Sequence, residues 1–313
     1  MAALGGNSWN LYGVSYGTRL ALTVVRDYPD QIRSVILDSV YPPEINDLLE
    51  FPFIYDNALT TLFKSCQTDR VCHATFPHLE SSLFTLLEQL QQTPMVLTVP
   101  NTTVGKAQKV VINDERFIEI LFYALYSSEI AQTLPGVITA AHQGKYEPLK
   151  PLVENYVDWL LDKNFSHAIY WSVECHDRSP HTTRDEFLTK VTQFPRIRKF
   201  VEHQWDYDLC HVWKGGHAGE AFRTPVTSAI PTLFLAGEYD PVTPPLWARE
   251  AASHFKRGYF LTLPGIGHGV VNSDTCGSEV VREFLRSPFR KPHNECLYWP
   301  RDSTFVLDSQ GNE

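Results

Sequence analysis

Trp9-Asn10-Leu11-Tyr12-Gly13-Val14-Ser15-Tyr16-Gly17-Thr18-Arg19-Leu20-Ala21 is the stretch that decides the fold. Its centre, Gly13 to Gly17, has the pattern G-x-S-x-G; an apolar run, Trp9 to Tyr12, leads into it and a helix-like run, Thr18 to Tyr28, leads out. Strand, glycine-flanked serine and helix in that order make a nucleophile elbow. The serine sits in a sharp, strained turn, and its neighbours lie too near other backbone to carry side chains. Ser15 is therefore the candidate nucleophile, and the backbone amide of Tyr16, the next residue, is the candidate oxyanion donor. A bare G-x-S-x-G also occurs in ordinary turns, so the flanking strand and helix carry the assignment.

A serine hydroxyl needs a base, and the base needs an orienting acid. Pro231 to Ala236 reads as a buried strand and runs into Gly237-Glu238-Tyr239-Asp240-Pro241-Val242-Thr243. Gly258 to Leu263 reads as another and runs into Pro264-Gly265-Ile266-Gly267-His268-Gly269. Taken singly, Asp240 reads as a turn residue and His268 as a loop histidine. Together they follow the ends of successive strands, and the chain order Ser15, Asp240, His268 is that of an α/β-hydrolase triad. Glu238 is the nearest competitor for the acid role, but it precedes the turn by two residues and reads as a capping or solvent-facing carboxylate.

Ser34 to Leu37 reads as a short buried strand ending at Asp38, before the breaker Pro42-Pro43. Strands alternating with helix-like segments imply a parallel α/β sheet whose functional groups gather at the carboxyl ends of the strands. The long middle differs in texture: helical periodicity runs through Leu79 to Leu90, Arg116 to Tyr126 and Leu149 to Leu161, with interleaved aromatic residues and few strand-like runs. The expected organisation is a first core segment at 1–43, a mostly helical cap at 44–222 and a second core segment at 223–313. An independent helical domain has the same periodicity. The polar tail after Trp299 is expected to fray.

At 313 residues, 43% hydrophobic and 20% charged, the chain can bury a substantial core in one large domain or two. A net charge of −9 without a basic run argues against nucleic acid as a main partner and suits a small amine or a peptide amino terminus. No apolar stretch approaches the roughly 18 residues of a membrane span, and residues 1–10 do not form a signal peptide. No C-x-x-C or H-x-x-x-H pair offers metal ligands, so neither metal nor cofactor is expected. Six cysteines, with Cys66 and Cys72 close, Cys276 and Cys296 flanking the final segment and Cys175 and Cys210 remaining, suggest three disulfides and a secreted or periplasmic parent protein. Six reduced thiols in a cytosolic enzyme is the competing reading. Asn101-Thr102-Thr103 and Asn164-Phe165-Ser166 are sequons that would matter only in an exported eukaryotic protein.

With these residues in place, G-V-S-Y-G-T-R-L-A at 13–21, V-I-L-D-S-V at 35–40, A-G-E-Y-D-P-V-T-P at 236–244 and G-I-G-H-G at 265–269 resemble the tripeptidyl-aminopeptidase-like branch of the α/β-hydrolases, relatives of the proline iminopeptidases. The resemblance spans nearly the whole chain and is loose through the middle. It implies serine exopeptidases acting on free amino termini, with esterase-like relatives, and puts Ser15, Asp240 and His268 at the triad positions. Ser172-Val173-Glu174-Cys175-His176-Asp177 looks like the family's short cysteine and aspartate element. An acid is needed to hold a substrate ammonium, so Glu174 and then Asp177 are the candidates, against a reading of both as helix-end or surface carboxylates.

The expected architecture is thus an α/β-hydrolase fold lacking its amino-terminal strands, with a large helical insertion. Only the elbow strand and three later ones can be read, and no H-G-G-P-G-type loop, the family's source of a second oxyanion donor, occurs in the sequence. The elbow strand is expected to be an exposed edge, which an upstream segment of a longer protein or a partner subunit would cover. Peptide or small ester substrates are expected. An aminopeptidase, a carboxylesterase on the same triad, and a truncated, non-catalytic fragment or binding module are the three functional readings.

Overall fold

A computed structural model describes residues 5–6, 8–101, 105–177, 182–202, 208–298 and 305–306. The polar tail and the hydroxyl residues of the first sequon therefore lie largely or wholly outside the described residues. The chain divides into two compact units, one formed by Met1–Glu50 with Ala218–Pro300, the other by Phe51–His217 with Arg301–Glu313.

The first unit is built on four parallel strands, β1 (Trp9–Val14), β2 (Ile32–Asp38), β5 (Thr232–Gly237) and β6 (Gly258–Leu263), in the order β1-β2-β5-β6. Alternate residues of the central strands point to opposite faces, and both faces are covered. Val35, Leu37, Phe234 and Ala236 pack with Ala21, Leu22 and Val25 of the helix Tyr16–Asp27 and with Ala248 and Ala251 of the helix Pro245–Ser253. Ile36, Leu233, Leu235 and Leu263 pack with Val280 and Phe284 of the helix Thr275–Arg286. This is why β2 and β5 read as unbroken apolar runs rather than as alternating ones. The elbow strand β1 lies at the edge of this sheet, with Asn10 and Tyr12 exposed.

Ends of strands are shaped by the loops that leave them. Arg19, only 2% exposed, donates from Nη2 to the carbonyls of Pro42 (3.0 Å) and Ile45 (2.9 Å), with its guanidinium 3.7 Å from the centre of the Tyr41 ring. A buried charge needs such partners. They fix the path of the segment after β2 against the elbow helix.

The second unit is mainly helical. The helices Leu79–Gln92, Asp114–Ala124 and Lys150–Leu160 fall within two residues of the periodic segments, and a 3-10 turn, Glu147–Leu149, precedes the last. The unit also holds a hairpin absent from the sequence reading: β3 (Met95–Val99) and β4 (Gln108–Ile112) pair antiparallel from Met95 with Ile112 to Val99 with Gln108. Leu97, Val99, Val110 and Ile112 are buried and alternate with exposed residues, so the strand signal is present but only five residues long on each side. Three disulfides join Cys66 to Cys72, Cys175 to Cys210 and Cys276 to Cys296. Among the described residues no helix is long and apolar enough to cross a membrane.

Candidate active site

Ser15 lies between β1 and the helix Tyr16–Asp27 with φ 56° and ψ −126°. A non-glycine residue adopts this left-handed backbone only at a cost of order 1–3 kcal/mol, and such strain concentrates at functional turns. The surroundings hold it there: the Ser15 amide donates to the Asp38 carbonyl at the end of β2 (3.0 Å), and its own carbonyl accepts from the amide (2.9 Å) and hydroxyl (2.6 Å) of Thr18. A side chain at Gly13 would put its Cβ 2.4 Å from the Gly17 carbonyl oxygen, so Gly13 is enforced by close approach. Gly17 is not, because a Cβ there would meet nothing within 4 Å. Tyr16 is the first residue of the helix, so the elbow sits at a helix amino terminus, whose amides and dipole favour negative charge.

Asp240 and His268 leave neighbouring strands and meet. His268 Nδ1 lies 3.0 Å from Asp240 Oδ1 and 2.9 Å from Oδ2, with the Asp240 side chain fully enclosed and that of His268 13% exposed. The turn Asp240-Pro241-Val242-Thr243 closes on its own acid. Asp240 Oδ1 accepts from the amides of Val242 (3.0 Å) and Thr243 (2.9 Å), and Oδ2 accepts from the Thr243 hydroxyl (2.7 Å). Burial by itself would raise the Asp240 carboxyl, but the charge and hydrogen bond of His268, followed by the donors of Thr243, hold it below its ordinary value. Burial would likewise lower His268, but Asp240, with a smaller contribution from Asp38, carries it above its ordinary value.

Close backbone approach makes this meeting feasible. At the end of β5, a Cβ on Gly237 would lie 2.0 Å from the Gly267 carbonyl oxygen and 2.5 Å from that of Ile266. Glycine there lets the loop that carries His268 lie directly against the strand that leads to Asp240. Gly265 and Gly269 take φ 70° and 80°, bending the loop on both sides of His268.

Carboxylates hold that loop along its length. Glu238 Oε2 accepts from Gly265 N (2.8 Å), Asp240 takes His268 Nδ1, and Asp38 accepts from Val270 N (2.8 Å) and Val271 N (3.0 Å). Glu238 is thus bound to backbone at the start of the loop, while Asp240 faces the imidazole. Thr243 and Asp38 are the residues of this region that the sequence reading passed over; the signal for each was a polar residue at a strand end or turn amid apolar neighbours.

The strained elbow serine and the acid–histidine pair at successive strand ends, on a parallel sheet covered by helices on both faces, decide the class. The fold is that of the α/β-hydrolases, and the chain is similar to the TAP-like proteins. Residues 198–296 match the family model described as TAP-like protein. The serine protease Hip1 of Mycobacterium tuberculosis is 24% identical over 91% of this chain and 56% of its own length. A putative hydrolase, YuaR, of Escherichia coli K12 is 24% identical over 94% of this chain and 59% of its own length. The chain therefore spans a little over half the length of these curated relatives. A solved α/β-hydrolase enzyme, MGS-M2 from a deep-sea metagenome library, aligns over 85% of this chain and 60% of its own with a TM-score of 0.32 and 16% identity.

Glu174 and Asp177 both lie in the second unit, on the helix His167–Asp177. Glu174 is half-buried; Asp177 is 7% exposed and lies 3.0 Å from His176 Nδ1. Cys175 between them is bonded to Cys210. Among the described residues no cluster of three or more His, Cys, Asp or Glu side chains is arranged to hold a metal ion.

Proposed function

We propose that this α/β-hydrolase is a serine hydrolase working through an acyl-enzyme on Ser15, and that its substrates are peptides with a free amino terminus. The observation that carries the reading is the Asp240–His268 pair at 2.9 Å, in the same unit as a serine held in left-handed backbone. In the reaction, Ser15 Oγ attacks the carbonyl carbon while His268 Nε2 takes its proton and Asp240 holds Nδ1–H. The tetrahedral oxyanion is met by the Tyr16 amide at the helix amino terminus. Collapse expels the amine with the proton from His268 and leaves acyl-Ser15. Water, deprotonated by the same imidazole, then releases the acid and restores the serine.

The serine protease name of Hip1 and the hydrolase name of YuaR support the same chemistry. The resemblance to exopeptidases supports a substrate with a free amine, for which Glu174, and after it Asp177, is the proposed partner. A fluorophosphonate probe should label Ser15 and not a Ser15→Ala variant. Hydrolysis of an aminoacyl amide should then exceed that of its amino-blocked form, and Glu174→Gln should depress the amide reaction more than hydrolysis of a short acyl ester. Hydrolysis of the short acyl ester with neither amide cleaved would make the protein an esterase. Absence of labelling with intact folding would make it a binding module.

A further inference from the structure

We propose that Asp38 is a positioning residue for the base: its side chain anchors the turn that follows His268 and brings a second carboxylate, besides Asp240, to the loop that carries that imidazole. The inference rests on the serine hydrolase reading above. Asp38 ends β2 and is fully buried. Its backbone carbonyl takes the Ser15 amide, while its carboxylate takes the amides of Val270 and Val271, two and three residues after His268. Ser39 beside it, itself at φ 56°, accepts the Gly269 amide on Oγ at 2.8 Å. One dipeptide thus bonds the nucleophile's turn with its backbone and three consecutive amides of the base's turn with its side chains.

A neutral side chain could accept those amides; the burial of a carboxylate calls for a further reason. Burial raises the Asp38 carboxyl above its ordinary value, and the Val271, Val270 and Tyr12 donors, with the charge of His268, oppose the rise. Tyr12 reaches across from β1 to donate its hydroxyl to Asp38 Oδ2 (3.1 Å). The ionisable groups facing Asp38 are thus Tyr12 from β1 and His268 from the loop after β6. Among the described residues, Asp240 from the loop after β5 bonds His268, Asp38 from β2 acts on it more weakly through its charge, and Glu238 holds the same loop at Gly265. When His268 takes the serine proton, the imidazolium forms against Asp240 on a loop whose next turn is held by the Asp38 carboxylate, so loss of the Asp38 charge weakens the base even where Asp240 is intact.

The test compares pH profiles of kcat/KM on a short acyl ester with direct observation of the His268 Nδ1 proton by NMR in the full chain. Asp38→Asn should lower kcat/KM by about 10- to 100-fold and displace the acid limb to lower pH, with the Nδ1 signal titrating lower in parallel. Ser39→Ala removes an acceptor and no charge, so it should slow the reaction and leave the limb in place. Tyr12→Phe, by making Asp38 harder to ionise, should move the limb in the same direction as Asp38→Asn but less far. An acid limb in Asp38→Asn coincident with that of the unaltered protein overturns the proposal. Should Asp38→Asn fail to fold by circular dichroism, the Tyr12→Phe limb decides, and no displacement there overturns it. If the unaltered protein neither labels nor turns over, the hydrolase reading fails, and the NMR titrations of Asp38→Asn or Tyr12→Phe alone still uphold or overturn the positioning role.

Discussion

Gly237→Ala tests whether the acid and base are brought together by backbone proximity. The new methyl carbon would start 2.0 Å from Gly267 O and 2.5 Å from Ile266 O, whereas real Cβ contacts under 3.0 Å are essentially never seen. Both obstacles are backbone, so no side-chain rotation relieves them. The loop must retreat by about 1 Å, a displacement that costs roughly 100-fold when it falls on a catalytic group. Retreat also strains the Tyr239 N to Ile266 O hydrogen bond of 2.8 Å, and overpacking of this kind destabilises by about 1–3 kcal/mol. His268, one residue beyond Gly267, would move with the loop while Ser15 stays. The expected result is a folded protein with a lowered melting temperature, roughly 100-fold slower fluorophosphonate labelling and a correspondingly lower kcat/KM. Gly17→Ala, whose Cβ meets nothing within 4 Å, is the matched control and should label at nearly the unaltered rate. A Gly237→Ala protein that labels within twofold of the unaltered chain would refute the reasoning.

Three further expectations concern charge and covalent links. Thr243→Val removes the hydroxyl that donates to Asp240 Oδ2 at 2.7 Å; a hydrogen bond to a charged group is worth about 1.5–3 kcal/mol, so kcat/KM should fall by about 10- to 100-fold with little change in KM. Because Asp240 is held below its ordinary 3.8, its contribution to stability is present above that pH and lost as pH falls through its folded value. Because His268 is held above 6.5, its contribution is present below that pH and lost as pH rises through its folded value. The melting-temperature gap between the unaltered protein and Asp240→Asn/His268→Gln should therefore be widest between these two ordinary values; a gap constant from pH 4 to 9 would count against the pairing. Removing Cys175–Cys210, which spans 35 residues, should cost roughly 4 kcal/mol in denaturant unfolding, Cys276–Cys296 about 3, and Cys66–Cys72, spanning six, near 2. The reverse order would show that the bonds do not act by constraining the unfolded chain.

Much of the first unit was legible because its signals are local and redundant. β6 was read to the residue, and β2 and β5 to within a residue or two, since buried strands on a doubly covered sheet are continuous apolar runs ended by Gly, Pro or Asp. The meeting of Asp240 with His268 could be anticipated from strand order, since parallel strands deliver their loops to one edge. Asp38 was legible only as the end of a strand: the amides it holds in the loop after β6 lie 232 and 233 residues further on, and nothing in the local sequence encodes them. Gly237 was legible only as the residue after a strand, although its importance lies in its approach to a carbonyl oxygen of another segment. The hairpin Met95–Val99 with Gln108–Ile112 was hidden by brevity, five residues a side being too few for alternation to stand out between helices.

The register between β2 and β5 has a consequence for how the chain reaches its native state. Val35 pairs with Thr232 across a separation of roughly 200 residues, a loop whose closure is entropically costly and slow compared with local contacts. Ser15 and its helix can form from residues close in sequence, and Asp240 and His268 need only a 28-residue connection. Ser15 and the Asp240–His268 pair thus lie on segments far apart in sequence, and the pairing of β2 with β5 is the long-range contact that unites them in one sheet.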